Sequence, residues 1–78
     1  MNFLFATTLN FDGQRQCIYK VYKSKLMPTE YRAELVNGDC MPLIFLYREN
    51  GNWRTIRETD QIKQLAALLS KEIDKTIA

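Results

Sequence analysis

The run Pro42-Leu43-Ile44-Phe45-Leu46-Tyr47 is apolar at every position, whereas the other strand-like stretches of the chain are apolar only at alternate ones. A strand sends successive side chains to opposite faces, so Leu43, Phe45 and Tyr47 point one way and Ile44 and Leu46 the other. Both faces of the sheet around this run therefore call for cover. Upstream, Phe3, Phe5, Thr7, Leu9 and Phe11 alternate with Asn2, Leu4, Ala6, Thr8 and Asn10, which predicts a half-buried first strand. Asp12-Gly13 then signals a hairpin, and Cys17, Tyr19 and Val21 form the inward set of the returning strand. A three-residue loop Phe11-Asp12-Gly13, with Gly13 left-handed, would set Phe5 opposite Tyr19 and Phe3 opposite Val21.

After the aperiodic connector Lys23–Thr29, the alternation of Tyr31, Ala33 and Leu35 with Arg32, Glu34 and Val36 predicts a third strand ending at the turn Asn37-Gly38-Asp39. The apolar run is the fourth. Glu49-Asn50-Gly51-Asn52 carries the chemistry of a type I′ turn, which sets Trp53 opposite Arg48 and Ile56 opposite Phe45 in a short fifth strand. From about Asp60 the period changes to 3.6: Ile62, Leu65, Ala66, Leu69, Ile73 and Ile77 form one stripe, with Thr59 or Asp60 as the cap. Large aliphatic side chains in that stripe are each worth ~1.5 to 3 kcal/mol when buried, so the helix should lie on the sheet. The expected fold is a single α+β domain over residues 1–78, an antiparallel meander of four to five strands with one C-terminal helix packed on one face.

That arrangement leaves one sheet face without cover. Leu4, Ala6, Ile18, Tyr22, Val36, Ile44, Leu46 and Trp53 are the residues expected on it, and such an apolar patch reads as an interface for self-association or another protein. The alternative is a single-strand nucleic-acid surface built from Lys20, Tyr22, Lys23, Lys25, Arg32, Arg48 and Trp53, in which cations hold phosphates and aromatic rings stack on bases. The order of strands followed by one helix is similar to that of PUR-type repeats, but no residue motif carries a family assignment.

Charge changes this picture little. A formal net charge of +2 falls well short of the asymmetry of a dedicated DNA-binding tail. With no histidine in the chain, a Cys-His or Ser-His nucleophile is excluded and the two cysteines cannot complete an ordinary zinc set. Asp12, Asp39, Glu49 and Asp60 sit at turns or at the helix start, where carboxylates serve as local acceptors. The expectation is a non-enzymatic protein with no cofactor, no metal and no membrane segment. Cys17 and Cys40 are expected as reduced thiols in a cytoplasmic protein, Cys40 being the more reactive, with a Cys17–Cys40 bridge as the alternative.

Overall fold

A computed structural model describes residues 2–11, 13 and 15–77, without the side chains of Phe11 and Ile77. Five strands, β1 (Asn2–Phe11), β2 (Arg15–Lys23), β3 (Glu30–Asn37), β4 (Leu43–Glu49) and β5 (Asn52–Thr55), are followed by the helix α1 (Asp60–Ile77). The strands lie in chain order in one sheet, and every neighbouring pair is antiparallel. The chain is thus the α+β meander that its periodicities call for. Asn50 (φ 54°) and Gly51 (φ 81°) both take the left-handed backbone that a type I′ turn needs, and Arg48 lies opposite Trp53. The Thr59 hydroxyl accepts the Ile62 amide at 3.3 Å, which makes Thr59 the helix cap.

α1 lays Ile62, Leu65, Ala66, Leu69 and Ile73 onto Leu9, Cys17, Tyr19, Val21, Tyr31, Ala33, Ile44 and Leu46, and all are buried. This corrects the expected face of β4. Ile44 and Leu46 are 2% and 1% exposed beneath the helix, and Leu43 and Phe45 are the outward pair. The cause is register: Ala33 lies opposite Ile44 and Tyr31 opposite Leu46, so the buried set of β3 carries these two residues to its own side. Trp53 follows, since its partner Arg48 shares the parity of Leu46.

The first hairpin also differs from expectation. Phe11 pairs with Arg15, so the loop has three residues but spans positions 12–14, and Phe5 lies opposite Val21 rather than Tyr19. A shift of two positions keeps every side chain on its face, which is why alternation does not distinguish the registers. Gly13 takes φ 68°, as a three-residue loop requires, while Asp12 lies outside the described residues. A bulge between Phe3 and Phe5 then turns the strand: Phe3 pairs with Tyr22 instead of Val21 and faces outward, and Leu4 packs against the core.

Cys17 and Cys40 are joined in a disulfide, with Cα atoms 6.4 Å apart, in place of the expected free thiols. The bridge ties the start of β2 to the β3–β4 connection. Gly38 makes the approach feasible, because a Cβ on it would lie 2.7 Å from the Gln16 carbonyl oxygen, and its φ of 120° disfavours any other residue. Beside the bridge, the Tyr19 hydroxyl donates to the Met41 carbonyl at 2.6 Å.

Burial pushes the Tyr19 phenol up from 10.0 to about 12. A group whose folded-state pKa is raised contributes stability that is complete below its unfolded pKa and is lost as pH climbs through the folded value. Urea unfolding should therefore show stability falling by on the order of 2 kcal/mol as the pH is raised across that window. Tyr19→Phe should flatten this slope, and equal slopes in the two proteins would contradict the assignment.

Candidate functional interface on the open sheet face

The face away from α1 is organised in cross-strand rows. One row runs Phe3, Tyr22, Arg32, Phe45 through paired positions on four strands, and the next runs Ala6, Lys20, Glu34, Leu43. Beyond them Tyr47 lies between Glu30 and Arg54. Phe3, Leu43 and Phe45 are 55%, 42% and 41% exposed, values far from those of a covered core. The Tyr22 ring stands edge-on to Phe3 at 5.6 Å and 69°, and the Arg32 guanidinium lies 5.5 Å from its centroid on the other side. Arg32 also pairs with Glu34 at 2.9 Å, while its Nε is shut off from solvent with no hydrogen-bond partner.

Of the residues expected on this face from the sequence, Ala6, Ile18, Tyr22 and Val36 are there, Val36 at a bulge in the pairing of β2 with β3. Leu4, Ile44, Leu46 and Trp53 are not. Phe3, Leu43, Phe45 and Tyr47 take their places, delivered by the β1 bulge and by the parity of β4.

The basic and aromatic set is divided in the same way. Lys20, Tyr22 and Arg32 share the open face, but Lys23 lies opposite the buried Tyr31 and Lys25 sits in the connector between β2 and β3. Arg48 and Trp53 belong to the helix side. Arg48 pairs with Asp74 of α1, its guanidinium lies 4.8 Å from the Trp53 centroid, and the indole N–H donates to Asp74 at 3.4 Å. The Trp53 ring in turn packs on Tyr31 at 5.3 Å. This cluster clasps the last turns of the helix to the β4–β5 hairpin, which makes its role architectural.

The arrangement offers an apolar and aromatic surface with mixed charge. Among the described residues, no group of three His, Cys, Asp or Glu could hold a metal ion, and no helix is long and apolar enough to cross a membrane. Comparison with protein families, characterised proteins and solved structures returns no match. The functional reading thus rests on the surface itself.

Asp74→Ala should release Arg48 and Trp53 together. The expected result is a loss of about 0.5 to 1 kcal/mol of stability, since the ion pair is partly exposed, with a red shift of Trp53 emission. Unchanged emission would place the indole outside the cluster.

Proposed function

We propose that this chain is a non-catalytic association module that pairs with a second copy of itself through the open sheet face. The supporting observation is the row Phe3, Tyr22, Arg32, Phe45: aromatic rings and an arginine are the side chains enriched at interface centres, and here they are held rigidly across four strands. Covering them would add apolar burial that a domain of this size lacks on its own. It would also complete a second layer over β4, whose outward side chains Leu43 and Phe45 would otherwise stay in water.

Single-strand nucleic-acid binding is the weaker reading. Lys20, Tyr22 and Arg32 remain available to it on one face, but Glu34 sits between the two cations, opposite Lys20 and bonded to Arg32. Phosphate would compete with that carboxylate. The Cys17–Cys40 bridge, in place of the reduced thiols expected of a cytoplasmic protein, supports an oxidising compartment.

Molar mass in solution, followed against protein concentration and salt, tests the proposal. The mass should rise from one chain toward two with concentration, with little change between about 0.05 and 1 M salt. Phe45→Ser should move the midpoint at least about tenfold by removing an exposed ring from the interface centre. A chain that stays monomeric at about 1 mM would overturn self-association, because weaker pairing is worth less than roughly 4 kcal/mol. Binding of a thymidine oligonucleotide that fades steeply with salt would favour the nucleic-acid reading instead.

A further inference from the structure

The outer edge of β4 is a second surface, separate from the open face. Main-chain groups alternate between the two edges of a strand, and two bonds set the phase: Leu35 N–H donates to the Pro42 carbonyl at 2.8 Å, and Arg48 N–H donates to the Thr29 carbonyl at 3.0 Å. Even-numbered positions of β4 therefore turn toward β3, and Leu43 and Phe45 turn their N–H and C=O groups to the other side. β5 pairs with β4 only from Leu46 opposite Thr55 to Glu49 opposite Asn52. Alongside Leu43 and Phe45 the next lane of the sheet is empty of strand.

The chain leaves that lane at Ile56 and Arg57 to enter the helix, and the Thr55 hydroxyl holds the departure by donating to the Arg57 carbonyl at 2.8 Å. The vacated lane is a groove of about 380 Å³ whose walls include Met41, Ile44, Phe45, Ile56, Arg57 and Ile62. Its walls are mostly apolar, and among the described residues its one charged side chain is Arg57. Glu58, the neighbouring acid, lines a different groove between β5 and α1. Among the described residues Arg57 forms no ion pair.

Three properties of the occupant follow. The pairing of Leu46 with Thr55 directs the Ile56 N–H to the Phe45 carbonyl, so the groups left facing the lane are those of Leu43 and the Phe45 N–H; one residue of a parallel strand can donate to the Leu43 carbonyl and accept from the Phe45 N–H together. Thr55 closes the lane opposite Leu46, so a strand entering beside Leu43 either turns out of the sheet or ends there, and a chain terminus is the occupant that needs no turn. Arg57, which lines the groove, selects a carboxylate over an ammonium group. We propose that the β4 edge captures the C-terminal end of an extended peptide with an apolar last residue, running parallel to β4 with its carboxylate on Arg57. This surface does not depend on the open-face reading.

Fluorescence anisotropy with fluorescein-labelled hexapeptides ending in Val, Ile, Leu or Phe, each as free acid and as amide, tests the assignment. At least one free acid should saturate below about 1 mM, and its amide should bind about tenfold more weakly. Arg57→Gln should lose the same factor for the acid and nothing for the amide. Phe45→Pro removes an edge donor without touching the β3 ladder and should abolish binding, whereas Tyr22→Glu on the open face should leave it intact. A probe N-methylated at alternate residues checks main-chain pairing with the protein unaltered, and it should not bind. Failure of every free acid to saturate, equal binding of acid and amide, an unaffected Arg57→Gln, or full binding of the methylated probe would each overturn the proposal.

Discussion

A single amphipathic helix covers one face of a five-stranded sheet, and the rest of the molecule is arranged around that imbalance. α1 buries its stripe on the face that carries Tyr19, Val21, Ala33, Ile44 and Leu46. A sheet is two-sided, and one helix supplies one layer. β4 feels this most acutely, because it is apolar on both sides: Ile44 and Leu46 go under the helix, while Leu43 and Phe45 stay partly exposed on the open face. β5 in turn is limited to four residues, since the turn into the helix begins at Ile56. An open face and an open edge thus meet at Leu43 and Phe45.

Two clasps hold the layers in register. At one end, the disulfide draws the β3–β4 connection against β2, with Gly38 allowing the close approach and Tyr19 bonding to Met41 alongside. The bridge closes a loop that contains β3 and all of β2 after Gln16, and such cross-links act mainly by restricting the unfolded chain. At the other end, Asp74 gathers Arg48 and Trp53. The β4–β5 hairpin is otherwise attached to the rest of the sheet only through β4. Both clasps use residues whose chemistry suggests a site, a thiol pair in one case and an arginine with tryptophan in the other, and both consume that chemistry in holding the fold.

Element types and their order were legible in the chain because each change of period is unambiguous: alternation up to Thr55, a 3.6-residue stripe from Ile62 onward, and Asn50-Gly51 between the last two strands. The orientation of β4 was not, since a strand that is apolar throughout gives alternation nothing to measure. The missing information lay in the β3–β4 connection. With Leu35 bonded to Pro42, odd positions of β3 meet even positions of β4, so the inward Tyr31 and Ala33 take Leu46 and Ile44 with them. The Phe3 reversal is of the same kind, because the bulge at Leu4 leaves no trace in composition. The disulfide was hidden because the proximity of Cys17 to Cys40 is a consequence of the β3–β4 connection folding back, a tertiary fact. On the candidate face, Ala6, Ile18, Tyr22 and Val36 were readable from strands whose parity was clear, and the errors at Ile44, Leu46 and Trp53 all descend from one undetermined parity.

That parity is open to direct measurement by comparing the equilibrium unfolding of Ile44→Ala and Phe45→Ala at concentrations where the chain is monomeric. With Ile44 2% exposed beneath the helix and Phe45 41% exposed on the open face, the first substitution should cost about 2 to 5 kcal/mol and the second clearly less. The opposite order, a large cost at Phe45 and a small one at Ile44, would mean that the helix lies on the other face and would contradict the account.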